Sequence, residues 1–260
     1  MEMTIKYLFV CGCPRSGTTA LVKLLNSHPS IAIGMERYKY WSNPQEIHKI
    51  QKQSFQPEHF FDIKDEQTNI NWDYFYDKLK EKFSQENLIT GDKNPHYYRH
   101  YQELENQFDN VKWIFLIRDI NDVALSYNKR AADPNDAWPE DANYTTAVAH
   151  WNNSLIKTWH YFSDRDTKNL FVCEYEKFFT YNESYFQSLV NFLEVESSPE
   201  MHNYYKVSTQ NWEKNLANKK ENLDEVQLNY IKTNCRFKLK NALIKKYGAA
   251  DLKYDLSKTY

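Results

Sequence analysis

Phe9-Val10-Cys11-Gly12-Cys13-Pro14-Arg15-Ser16-Gly17-Thr18-Thr19 decides the fold. An apolar run enters a short loop, and beyond it Ala20, Leu21, Leu24 and Leu25 recur at helical spacing. Strand, tight loop and helix start thus follow one another. Gly12 and Gly17 keep the Gly-x-x-x-x-Gly frame of loops that wrap phosphates. Thr18 stands where such loops carry a lysine for the β- and γ-phosphates, and Arg15 supplies a cation inside the loop instead. The pattern therefore argues against ordinary ATP or GTP hydrolysis while keeping an anion cradle. With the helix starting near Gly17, the N–H groups of Ser16, Gly17, Thr18 and Thr19 are expected to be free and to point at one spot. The helix dipole adds positive potential there.

Outward from this loop, apolar runs alternate with helical patterns. Strands are expected at about Ile5–Cys11, Ile31–Ile33, Leu88–Lys93, Val111–Ile117 and Leu170–Cys173. Helices are expected at Thr19–Ser27, Trp72–Phe83, Tyr97–Gln107, Asn121–Ala131, Thr145–Phe162 and Tyr185–Leu193, and through the tail Leu223–Tyr247. His28-Pro29 ends the first of these helices. Arg37–Asn71 is irregular and aromatic, which reads as an excursion or lid outside the core. The implied fold is α/β: a P-loop-type parallel sheet with helices on both faces and a helix-rich C-terminal portion. Without repeats or a linker, residues 1–260 read as a single domain.

Composition narrows the function. A net charge of −2 gives no global preference for nucleic acid, and no apolar run is long enough for a membrane span. Cys11, Cys13, Cys173 and Cys235 read as reduced thiols of a cytoplasmic protein. Neither they nor the eight histidines show metal-ligand spacing, so no metal is expected.

Ligands of such sheets lie beyond the C-terminal strand ends. The Arg15 loop, Glu36, Lys93 and Arg118 all fall at such ends. Arg118-Asp119-Ile120-Asn121-Asp122-Val123-Ala124-Leu125-Ser126 places an arginine before a helix and a serine two turns into it. Arg130 lies one turn beyond Ser126 on the same face. This is a second site for a phosphate.

Taken together, these segments resemble the sulfotransferases that use 3′-phosphoadenosine 5′-phosphosulfate (PAPS). Pro14 to Thr19 resembles the family's 5′-phosphosulfate loop, Arg118 to Ser126 its 3′-phosphate motif, and Val172 to Phe178 its later strand with a Tyr-Glu pair. The order Ser16-Gly17-Thr18-Thr19, His28-Pro29, Gly34-Met35-Glu36 is nearest the tyrosylprotein sulfotransferases and their bacterial relatives. The resemblance implies that Glu36 is the general base and that Lys93 and Arg15 steady the transferred sulfuryl group. It also implies that Arg15, Ser16, Gly17, Thr18 and Thr19 hold the 5′-phosphate and that Arg118, Ser126 and Arg130 hold the 3′-phosphate. PAPS would be the donor and 3′,5′-ADP the product. The Arg-Lys-Gly motif of the cytosolic branch is absent, with Trp212-Glu213-Lys214-Asn215 a loose counterpart. Tyr38 replaces the arginine that follows the glutamate by two in the tyrosylprotein branch. The acceptor stays open among glycan, peptide tyrosine and small alcohol, its cleft is expected to be bordered by Arg37–Asn71 and by the acidic loop Asp133–Asp141, and the chain is expected to be a monomer or homodimer. Two rival readings share the cradle: a small-metabolite kinase, with Asp119 as its magnesium-binding acid, and a non-catalytic nucleotide-binding module.

Overall fold

The computed structural model describes residues 6–69, 73–85, 87–165, 168–180, 182–217 and 222–249. Ile5, Asn71 and Trp72, named above as element ends, lie outside them. Five strands form one parallel sheet: β1 (Lys6–Gly12), β2 (Ile31–Met35), β3 (Ile89–Lys93), β4 (Lys112–Ile117) and β5 (Leu170–Glu174). Their order is β2-β3-β1-β4-β5, with Phe9 opposite Asp92 on one side and Trp113 on the other. The chain steps outward from β1 to β2, returns through β3, then crosses to β4. This reversal around β1 is where doubly wound sheets open a crevice.

The helices are α1 (Thr18–Leu25), α2 (Pro57–Phe60), α3 (Asp73–Lys80), α4 (Tyr101–Glu105), α5 (Ile120–Ala131), α6 (Tyr144–Phe162), α7 (Tyr175–Phe179), α8 (Glu183–Leu193), α9 (Pro199–Ala217), α10 (Glu225–Asn234) and α11 (Phe237–Tyr247). Alternation along the strands explains their continuous apolar runs. Tyr7, Phe9, Trp113 and Phe115 face a core completed by α4, α5, α6 and α11. Leu8, Val10, Ile114 and Leu116 face a second core under α1, α8 and α9. Both faces are therefore covered, as the pattern requires. No described helix is long and apolar enough to cross a membrane.

Several expectations need correction. The segment after Glu36 is not a lid outside the core: Tyr38, Ile47, Ile50, Phe55 and Phe60 are buried in the first core, and Phe55 packs on Phe9. The stretch from Tyr97 is a 3₁₀ turn, Pro95–Arg99, followed by the short α4. Asp73–Lys80 continues as a 3₁₀ turn rather than as helix to Phe83. The tail is two helices, not one. Helix α9 was not anticipated, although Met201, Tyr205 and Trp212 recur at helical spacing and pack on the second core.

His28 is a turn residue, as its place before Pro29 suggests. Its Nδ1 accepts from the Ser30 N–H at 3.2 Å and its Nε2 donates to the Glu196 carbonyl at 2.9 Å. Burial, the largest cause, lowers its pKa and keeps the ring neutral.

Candidate active site

The loop after β1 is built by close approach. A Cβ on Gly12 would lie 2.3 Å from the Leu116 carbonyl oxygen, and one on Gly17 would lie 2.3 Å from the Tyr175 ring. Gly17, at φ +89, is the N-cap of α1. The donor set differs from expectation in one member. The Ser16 N–H donates to the Cys13 carbonyl at 3.1 Å, leaving Gly17, Thr18 and Thr19 with N–H groups unengaged by protein. The Ser16 hydroxyl is buried and has no partner among the described residues.

Arg15 and Glu36 both have positive φ, at 69° and 54°, a region that L-residues with side chains seldom adopt. Glu36 follows β2 directly, and Arg15 lies in the loop after β1. At Arg15 the twist sends the guanidinium across to α5, where Nε donates to Ser126 Oγ at 3.0 Å. Burial lowers the Arg15 pKa most, and the nearby Arg130 and Arg118 lower it further. Arg118 follows β4 directly. Its guanidinium lies 4.6 Å over the Tyr175 ring, donates weakly to the Arg15 carbonyl at 3.5 Å and to Asp122 at 3.3 Å, and leaves Nε buried without a partner. Arg130 is clamped by Asp136 at 2.6 and 2.5 Å and stacks 4.5 Å over Trp138. Three guanidinium groups and the free N–H groups of α1 thus gather on one side of the cleft. The Tyr-Glu pair after β5 holds this side together: Tyr175 supports Gly17 and Arg118, and the Glu176 carboxylate accepts from the Asp119 N–H at 2.8 Å.

The other side is built on β2 and β3. The Glu36 N–H donates to the Lys93 carbonyl at 2.7 Å, and Lys93 Nζ donates to Glu36 Oε1 at 2.9 Å and to Thr19 Oγ1 at 3.2 Å. Lys93 is almost wholly buried, while Glu36 keeps 22% of its side chain exposed. Sequence reasoning missed what holds this pair. Asp92, fully buried, accepts from the Arg37 N–H at 3.0 Å, the Tyr38 N–H at 3.3 Å and the Tyr97 hydroxyl at 2.7 Å. Burial raises its pKa to about 6 against these bonds. A carboxylate at the end of an apolar strand was the available signal.

All predicted residues except Ser16 and Ser126 line one cleft of about 860 Å³, and those two touch its loop and its arginine. Tyr40 and Ser42 of the aromatic segment and Trp138 of the acidic loop also line it, as do His96, Tyr204 and Ser208, which were not anticipated. Trp212, the loose counterpart of the C-terminal motif, instead packs on the second core. Asp119, the acid a kinase would need, is the N-cap of α5 and accepts from the Asn121 N–H at 2.8 Å.

The Sulfotransferase family profile matches residues 8–199, and the chain belongs to that family. No curated protein sequence matches it. Among solved structures, the fold is similar to the sulfotransferase domain of the curacin biosynthetic pathway. The TM-score is 0.54 and the identity 22%, with 78% of this chain and 79% of that one covered. It is also similar to the sulfotransferase domain of the Synechococcus PCC 7002 olefin synthase, with TM-score 0.51, 18% identity and 78% of each chain covered. A third is sulfotransferase STF1 of Mycobacterium tuberculosis H37Rv, with TM-score 0.50, 15% identity, and 79% and 72% covered. At such identities the likeness is one of fold.

Proposed function

We propose that the protein transfers a sulfuryl group from PAPS to an acceptor hydroxyl or amine, with Glu36 as general base. One observation carries this reading. The buried, partnerless Nε of Arg118 and the free N–H groups of Gly17, Thr18 and Thr19 border the same cleft as the Glu36–Lys93 pair. Two separate anion sites beside a carboxylate suit a nucleotide with phosphates at both the 3′ and 5′ positions, and ATP has no 3′ charge for the second.

In this mechanism Arg118, Ser126 and Arg130 hold the 3′-phosphate, with Arg15 bridging to them through Ser126. That bond supports a role for Arg15 nearer the 3′ end than the resemblance alone implies. The α1 first turn holds the 5′-phosphate. Glu36 accepts the acceptor's proton as the new oxygen–sulfur bond forms. The bond from sulfur to the bridging oxygen breaks, and its electron pair stays on the phosphate of 3′,5′-ADP. Lys93, at bonding distance from both Glu36 and Thr19, neutralises charge on the sulfuryl and leaving oxygens. The likeness in motif order to the tyrosylprotein branch does not bring its acceptor with it: Tyr38 is buried, and its hydroxyl is bonded to the Ser54 carbonyl. The free cysteines suit a reducing, cytoplasmic setting.

The test is thermal stabilisation by 3′,5′-ADP without metal, set against ATP–magnesium, followed by transfer of labelled sulfate from PAPS to glycans, tyrosine peptides and small alcohols. Stabilisation by ATP–magnesium alone would return the kinase reading. Binding of 3′,5′-ADP without transfer would leave a nucleotide-binding module.

A further inference from the structure

Buried polar atoms without partners fall at both ends of the cleft. Ser16 Oγ and Arg118 Nε lie at the phosphate end, and Ser42 Oγ and His96 Nδ1 lie on residues that line the rest of it. We propose that His96 is an acceptor-binding residue whose Nε2–H donates to an oxygen neighbouring the reacting hydroxyl, so that the cleft takes a neutral vicinal diol of the sugar type. This rests on the sulfuryl-transfer reading above and deepens it.

His96 is held three residues beyond Lys93. Its N–H donates to Asn94 Oδ1 at 2.9 Å at the start of the Pro95–Arg99 turn, and its ring sits 6.2 Å from the rings of both Tyr98 and His150. Burial, then Arg99, His150 and His100, lower its pKa to about 4, so the imidazole is neutral at physiological pH and carries one N–H. An N–H left dry without an acceptor is the worse orphan, so the proton belongs on Nε2 rather than on buried Nδ1. Among the described residues Nε2 makes no hydrogen bond, and it is not closed off as Nδ1 is, which leaves it to the cleft.

A donor on the reacting oxygen itself would draw on the lone pairs needed at sulfur. A donor on the adjacent oxygen orients the acceptor without that loss. The uncharged ring gives no preference for an anion, and Tyr40, an exposed ring that lines the cleft, offers aromatic surface to the C–H face of a sugar.

The test uses the full chain with PAPS and methyl β-D-glucopyranoside, its monodeoxy analogues and a tyrosine peptide as acceptors. H96A is expected to raise the sugar KM about tenfold, the worth of one hydrogen bond, with 3′,5′-ADP affinity unchanged. H96Q, whose amide nitrogen reaches the Nε2 position, is expected to recover most of the loss, and H96N is not. Histidine ¹⁵N spectra of the wild type are expected to show the Nε2–H tautomer, a readout that does not depend on how a variant folds. Equal KM values for wild type and H96A, an Nδ1–H tautomer, or transfer to the tyrosine peptide alone would overturn the proposal while leaving sulfuryl transfer standing. Loss of the acidic limb of the pH–rate profile in H96Q would make His96 the base and overturn it too. A wild type that neither binds 3′,5′-ADP nor transfers sulfate would overturn the underlying reading and this proposal with it.

Discussion

Two arginines sit just beyond parallel strands, and their surroundings could hardly differ more. Arg37, after β2, is fully buried. Its Nε donates to the Phe60 carbonyl at 2.8 Å, and its other nitrogens reach the His59 and Asp62 carbonyls at 2.9 and 2.8 Å and the Gln67 amide oxygen. Arg118, after β4, has one long carboxylate contact, one marginal carbonyl contact and an orphaned Nε. A guanidinium whose three nitrogens are all engaged is a structural staple. One with buried donors left over is built for a ligand. Arg37 ties the aromatic segment onto the core and so holds Glu36 beside Lys93, whereas Arg118 is held in place by Tyr175 and left open.

The sharpest way to break this contrast is at the carboxylate that the stapled side positions. Glu36→Gln is expected to cut turnover by roughly 10²–10⁴, the usual worth of a general base, with 3′,5′-ADP affinity within a few-fold. Parallel losses in rate and affinity would make Glu36 structural. The two arginines themselves come next. Arg118→Ala is expected to weaken 3′,5′-ADP by roughly 10–100-fold and 5′-AMP hardly at all, with little change in melting temperature. Arg37→Ala is expected to do the reverse, destabilising the fold by about 3 kcal/mol or more because several buried acceptors lose their donor. A denaturant melt and a nucleotide titration on each variant separate the two, and a stable Arg37→Ala protein would erase the distinction.

A smaller effect is expected from Asp92, beneath the stapled side. Its carboxyl is raised from 3.8 to about 6 by burial, so it ionises more readily in the unfolded chain. Its contribution to stability is therefore complete below about pH 4 and is lost as pH rises through about 6. The stability advantage of wild type over Asp92→Asn should accordingly fall across that window and level off above it. An advantage that grows with pH would reverse the assignment.

The smallest effect concerns Asp136, whose pKa is lowered by its bond from Arg130 and which, in the proposed mechanism, would compete with the 3′-phosphate for that arginine. Asp136→Asn is expected to tighten 3′,5′-ADP by a few-fold at low salt, and less at high salt. Unchanged or weaker binding would show that the clamp orients Arg130 rather than competing for it.

Much of the cleft was legible because strand ends can be found in the sequence, and Glu36, Lys93 and Arg118 stand at them. The glycine frame was visible but its cause was not: Gly12 and Gly17 make room for Leu116 and Tyr175, which are distant in sequence. The aromatic segment was misread because 3₁₀ turns and a four-residue helix carry no period, so Ile47, Phe55 and Phe60 gave no sign of a common face. The break between α10 and α11 had no local signal, since no glycine or proline marks it. Asn152, on α6, makes it from a distance: its Nδ2 donates to the Asn234 carbonyl at 2.9 Å, and its Oδ1 accepts from the Arg236 N–H at 2.9 Å.

Apolar periodicity and the glycine frame, written in consecutive residues, marked the strand–loop–helix unit, the parallel sheet and the set of residues at its edge. The division of labour among those residues was decided only in three dimensions. Whether an arginine serves the core or the cleft depends on how many acceptors distant segments bring to it. Burial by those same segments also makes Asp92 an anchor and keeps His96 neutral.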